Sequence, residues 1–183
     1  MTISSREAGA MLAEVDAIVA RVKRSRIYRR TGDITILWGV IILLGHLAEA
    51  TAPHWALWAW HLDDALGVAG TVILMLRGRT AAGMQIPLRL LGAFALFFAF
   101  GFVWSELIGG FGPRELEVFW PTLFLFGYAL AGLWFGAAFS ALGIGVSALI
   151  LAGYFWAGPW LSLWLAIVNG GGFILCGLWM RRS

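Results

Sequence analysis

Between Leu88 and Val103 the sequence runs LRLLGAFALFFAFGFV, and wound as a helix this segment has no polar face. A helix that is apolar all round must lie in a large protein interior or in lipid. A chain of 183 residues has no interior of that size to spare, because its other blocks are just as apolar. Hydrophobic residues make up 61% of the chain and charged residues 13%, against roughly 45–50% and about 25% in an average soluble domain. A soluble helical domain is therefore excluded in favour of an integral membrane protein.

A spanning helix needs about 20 predominantly apolar residues, with roughly 17 as the lower limit. Six blocks approach or meet that length: Ile34 to Ala50, Trp55 to Leu76, Pro87 to Ile108, Trp120 to Phe135, Ala138 to Trp156 and Trp160 to Met180. Pro87 suits the first turn of a helix. Gly109, Gly110, Gly112 and Pro113 end the third block, and the polar residues Arg114, Glu115 and Glu117 are assigned to the loop that follows. The expected fold is an all-α polytopic membrane bundle of six transmembrane helices arranged as three hairpins.

Ahead of the spans, Ser4 to Arg30 has the pattern of an amphipathic helix. Ser4 and Glu7 fit a capping box, and Ala8, Met11, Leu12, Val15, Ile18, Val19 and Val22 recur at three- and four-residue steps. Two units follow, an amphipathic basic helix over residues 1–33 and a six-span domain over residues 34–183. No small-residue cleavage site accompanies the first apolar block, so a cleaved signal peptide is not expected.

Charge sets the expected orientation. With six spans both termini share a side, and that side holds twelve basic and four acidic residues, a net of +8. The opposite side has Arg114 and six carboxylates, a net of −5, and the two add to the formal +3. An excess of Lys and Arg marks the cytoplasmic face. The expected location is therefore the bacterial inner membrane with both termini cytoplasmic. Arg21, Lys23, Arg24, Arg26, Arg29 and Arg30 would meet the anionic lipid surface or a protein partner through residues 4–30. Nucleic acid is not an expected partner, because this charge is concentrated beside the first span rather than spread over a recognised module.

Glycine is abundant, 24 residues in all. Where no hydrophobic effect acts between helices, small residues let backbones approach. Gly132 with Gly136 and Gly170 with Gly177 are candidate seams, and Gly170 to Gly172 would loosen the last span beside Asn169. The fragments Gly101 to Trp104 and Gly153 to Trp156 are similar enough to raise the question of a duplicated hairpin. The single cysteine, Cys176, rules out an internal disulfide and a Cys-rich metal site.

The second block brings ionisable groups to membrane depth, where they are costly unless they face protein, water or a ligand. At 100° per residue His54 and His61 share a face of that helix with Asp64 about 60° away, whereas Asp63 falls in a stripe with Ala56, Ala59, Gly67 and Gly70 that has the form of a packing seam. His46, Glu49 and Glu106 lie at similar depth on neighbouring spans. Ligand or proton-binding candidates are therefore His46, His61, Asp64, Glu106 and Asn169, with His46, His61 and Asp64 as candidate metal ligands. The same residues admit a bland reading, as headgroup-level charges and hydrogen bonds within the bundle.

No nucleophile, zinc-protease, phosphate-loop or covalent haem motif is present, which points away from an enzyme. Three functional expectations follow. The first is a non-enzymatic accessory, sensor or regulatory protein acting through its basic helix. The second is a small proton-linked or cation transporter using His61 and Asp64. The third is a metal- or haem-binding membrane protein. A homo-oligomer is expected alongside the transporter reading.

Overall fold

The computed structural model describes residues 5–77 and 88–182; side chains in residues 5–30 other than Met11, Glu14 and Val15, and those of residues 88–91 and 94, lie outside that description. The described residues are helical with no strand. Helix α1 spans Ser5–Thr51, α2 Ala56–Arg77, α3 Leu88–Phe102, α4 Pro113–Phe135, α5 Ala137–Trp156, α6 Leu161–Leu165 and α7 Gly171–Arg182. A wide π-turn over Val103–Ile108 extends α3, and another over Ala166–Gly170 joins α6 to α7 into one span. Among the described residues, five helical stretches are long and apolar enough to cross a membrane: Thr31–Thr51, Pro53–Arg77, Pro113–Phe135, Ala137–Trp156 and Gly158–Arg182. The chain is an integral membrane protein. A sixth apolar stretch, Ala95–Ile108, is shorter.

Helix α1 runs unbroken for 47 residues, from the stretch expected as a basic amphipathic helix into the first span. A lone Gly32 does not end a helix that has no proline to stop it, and Thr35 gives its hydroxyl hydrogen to the Thr31 carbonyl across this junction. The basic side chains from Arg21 to Arg30 and the capping residue Ser4 lie outside the described residues, as do Arg79 and Pro87 of the connection after α2.

Gly32 has another use. A methyl group on it would come within 2.8 Å of the Gly177 carbonyl, and one on Gly39 within 2.9 Å of the Gly170 carbonyl. Each pair of glycines is seven residues apart on its own helix, which at 3.6 residues per turn keeps both on one face. The two faces pack antiparallel with backbone against backbone, Gly170 lying on Leu43 and Gly177 on Ile36. Such approach maximises dispersion contact where lipid competes equally for apolar side chains.

The remaining contacts complete the bundle. Helix α2 lies on α1, where Gly67 accepts the Trp38 ring, Gly70 accepts Leu37, and Trp38 Nε1 donates to Thr71 at 3.1 Å. Helix α4 meets α5 closely at Gly143, which sits against the Ala129 backbone, and at Gly132, which abuts Ser140. Gly136 makes the turn between them with φ of 119°, a conformation that L side chains rarely adopt. The core lies among α4, α5, α6 and α7, with Leu125, Ile150, Leu165 and Met180 almost fully buried. Cys176 packs there beside the Ala138 carbonyl. Helix α3 leans on α4 through Phe97 and Gly101.

The seam makes a direct prediction. Gly177→Leu should lower stability by about 1–3 kcal/mol through overpacking, read as a fall in thermal midpoint in detergent. Gly171→Ala, whose added carbon meets nothing within 4 Å, should leave the midpoint unchanged or raise it.

Candidate functional site

Three ionisable residues meet where α1 ends and α4 begins. His46 and Glu49 stand one turn apart near the Thr51 end of α1, and Glu117 comes from the second turn of α4. His46 is 1% exposed, Glu117 10% and Glu49 26%. His46 Nδ1 is 3.4 Å from Glu49 Oε2 and 4.0 Å from Glu117 Oε1, and the ligand-capable atoms of the three all lie within 4.8 Å of one another.

Glu117 is on a helix rather than in a loop, which corrects the sequence assignment of the fourth span. Helix α4 begins at Pro113, about two turns before the expected Trp120. Gly112 is its N-cap and Pro113 its first residue, an arrangement that fixes φ and removes an N–H that would have had no partner. Carboxylates near a helix N-terminus are favoured by the exposed N–H groups there. Pro121 then withholds the N–H that would have bonded the Glu117 carbonyl, so the helix is loosened at the residue that enters the site.

Neighbouring groups hold this corner in place. Arg114 donates to the Gly158 carbonyl at 2.7 Å and the Tyr154 carbonyl at 2.8 Å, and its guanidinium lies 5.4 Å from the Tyr154 ring centre. That clamp ties the start of α4 to the turn between α5 and α6. Ser162 of α6 lies in hydrogen-bonding reach of Glu117. On the opposite side the Trp60 ring stands edge-on to the His46 imidazole, centroids 5.0 Å apart at 83°. Gly45 permits this, because a methyl group there would strike the Trp60 ring at 2.8 Å and Asp63 Oδ2 at 2.9 Å.

Polar accounting sets the site apart. Both ring nitrogens of His46, Glu49 Oε2 and Glu117 Oε1 are buried without a hydrogen-bond partner. At 3.4 Å and beyond, the histidine–carboxylate contacts are ion-pair separations rather than hydrogen bonds. A buried polar atom left unsatisfied costs about 1–3 kcal/mol, and a cation between His46 Nδ1, Glu49 Oε2 and Glu117 Oε1 would satisfy three of the four at once. One imidazole nitrogen with two carboxylate oxygens is a donor set suited to borderline divalent metals. Bonds of 2.0–2.2 Å in a tetrahedron set ligand atoms roughly 3.4 Å apart. The His46–Glu49 pair is at that spacing, and Glu117 Oε1, 4.0 Å from His46 Nδ1, has to move inward.

The residues singled out from sequence are dispersed differently. His46 is in this cluster. His61 and Asp64 are exposed on the side of α2 away from α1, and His54 is exposed in the turn before α2. Glu106 is exposed on the π-turn that ends α3. Asp63 and Gly67 are buried on the α1-facing side of α2. Asn169 is 2% exposed with its side-chain oxygen unpaired, in the π-turn that packs on α1. That π-turn is where the glycine run loosens the last span, with the Gly171 N–H shared among the carbonyls of Ala166, Ile167 and Val168. Deeper still, Tyr128 and Thr35 place their hydroxyls in hydrogen-bonding reach. Sequence reasoning passed over Glu117, although Glu117 four residues before Pro121 was a readable sign of a carboxylate at a weakened helical turn.

The chain matches no protein-family model, no curated protein and no solved structure. Its function is therefore argued from the site alone.

The clamp can be tested separately from the cluster. Arg114→Leu should lower stability by about 1.5–3 kcal/mol, the range for hydrogen bonds to a charged group. Glu115→Gln, at the exposed Tyr154 hydroxyl, should stay within about 0.5 kcal/mol of the native protein. Thermal unfolding of both in the same detergent distinguishes them.

Proposed function

We propose that this protein is a non-enzymatic metal-binding protein of the bacterial inner membrane, holding one divalent transition-metal ion between α1 and α4 and serving as an accessory or sensor. The observation that carries the reading is His46, buried with its Nδ1 unpaired and facing two buried carboxylate oxygens, Glu49 Oε2 and Glu117 Oε1. In this proposal His46, Glu49 and Glu117 are the ligands, and Ser162 orients Glu117. A fourth position remains for water, as in open zinc sites. Glu49, the most exposed of the three, lies on the entry path.

The topology proposed with it has six spans, the shorter apolar stretch Ala95–Ile108 belonging to the third. The excess of basic residues on the side of the chain ends supports a reading with both termini in the cytoplasm. The site then opens toward the outer face, and the first turns of α1, with Arg21 to Arg30, lie on the cytoplasmic side for a lipid surface or a protein partner. A metal bound at one end of α1 and a partner at the other would be joined by a single helix of 47 residues. Haem is disfavoured as the ligand, since His46 is the one buried histidine and the others are exposed.

Competition with a zinc-chelating dye on purified protein tests the proposal. One zinc ion per chain is expected, with affinity falling on acidification as protons compete for the ligands. His46→Ala and Glu117→Gln should weaken binding by at least about 10- to 100-fold, since even outer-shell changes have effects of that size. Cys176→Ala and His54→Ala should not change it. Equal affinity in His46→Ala would remove the reading.

A further inference from the structure

Helix α2 is the least buried of the five long spans, and only its α1-facing side is covered by the described residues. Its opposite side presents Leu57, His61, Asp64, Ala65 and Val68, all exposed. At 100° per residue these positions fall within one broad stripe. Three of the five are an ordinary surface for lipid or for a helix. His61 and Asp64 are not.

The span Pro53–Arg77 has 25 residues, and Asp64 is one position from its centre. At 1.5 Å per residue it lies roughly 16 Å from the Pro53 end, in the hydrocarbon middle of a bilayer about 30 Å thick. Ionisable side chains at that depth face protein or water and pair with one another. His61, one turn away on the same stripe, interacts electrostatically with Asp64. This intrahelical pair still leaves both groups toward the outside of the chain. The surface therefore requires a protein cover that brings polar partners at mid-membrane depth.

We propose that the cover is α2 of a second copy, the two helices packing in parallel about a two-fold axis along the membrane normal. The stripe is complementary to itself. It carries a potential cation and an anion one helical turn apart, about 4.5 Å along the axis, so the symmetry sets His61 of each copy diagonally against Asp64 of the other. An isologous contact of this kind satisfies both pairs with one set of residues. Ala65, small and exposed between them, lets the helices approach. Leu57 and Val68, 66% and 57% exposed, close the contact above and below the charges. The dimer leaves the His46 cluster untouched, because that cluster lies across α1 from this face, so the inference stands apart from metal binding.

The experiment uses the full chain in lipid nanodiscs and liposomes, with Cys176→Ala and Val68→Cys for disulfide trapping and fluorescence transfer between labelled copies for affinity. The expected result is an intermolecular disulfide and a dimer. Asp64→Leu and His61→Leu should each weaken the dimer by at least about tenfold, equivalent to 1.4 kcal/mol. The exchange His61→Asp with Asp64→His should restore it. Ala65→Phe, at an exposed position of this face, should block dimerisation while leaving the thermal transition and zinc titration of the folded chain intact. A monomer at all concentrations overturns the proposal. So does a dimer indifferent to all four changes, or a Val68→Cys chain that forms no intermolecular disulfide under oxidation although the fluorescence assay reports a dimer.

Discussion

The backbone contact between α1 and the last span fixes everything built at the His46 corner. Gly32 against Gly177 and Gly39 against Gly170 set the two helices antiparallel in one register. Counting along that register brings His46 and Glu49 level with α6, where Ser162 stands beside Glu117. A side chain at either glycine pair would push the helices apart by the thickness of a methyl group. A displacement of that order is enough to spoil a site whose ligand atoms lie within 4.8 Å of one another. The packing of small residues, generally a matter of stability in membranes, is here also what aligns the chemistry.

Around that seam the protein keeps two kinds of polar group. One kind is enclosed: His46, Asn169, Thr35 and Ser105 are each 2% exposed or less. The hydroxyl of Thr35 is accounted for by its own helix, whereas His46 and the carboxylates around it point their unpaired atoms at one another. The other kind is turned outward, with His61 and Asp64 on the far side of α2. We propose a cation for the first arrangement and a second copy of the chain for the second. The Arg114 clamp belongs to neither; it spends its charge on two carbonyls and a tyrosine face, and so steadies the end of α4 that carries Glu117.

The all-helical, membrane-spanning character was legible from residues such as Leu88 to Val103, because apolarity on every side leaves no other environment. Helix ends were harder. Gly32 resembles a boundary in the sequence but is consumed by the seam, and α1 continues through it. Pro113 resembles a helix breaker but is the first residue of α4, which moves Glu117 from a loop into the bundle. Proline and glycine terminate or begin helices according to which neighbour they meet, and that is a tertiary fact. The lateral arrangement was not readable for the same reason. Periodicity placed His61 and Asp64 on one face and Asp63 on another, yet only packing says which face of α2 meets α1. Gly170 with Gly177 was readable as a seam, but two signals were present without being weighed: the matching heptad spacing of Gly32 with Gly39, and the Glu117–Pro121 step.

The central claim is that a divalent metal ion is bound by His46, Glu49 and Glu117 together. X-ray absorption at the zinc edge on the zinc-loaded protein reports the ligand atoms directly. The account predicts one imidazole nitrogen with oxygen ligands at about 2.0–2.2 Å and no sulfur. A sulfur at about 2.3 Å, which only Cys176 or a methionine could supply, or a shell of several imidazoles, would place the metal elsewhere and contradict it.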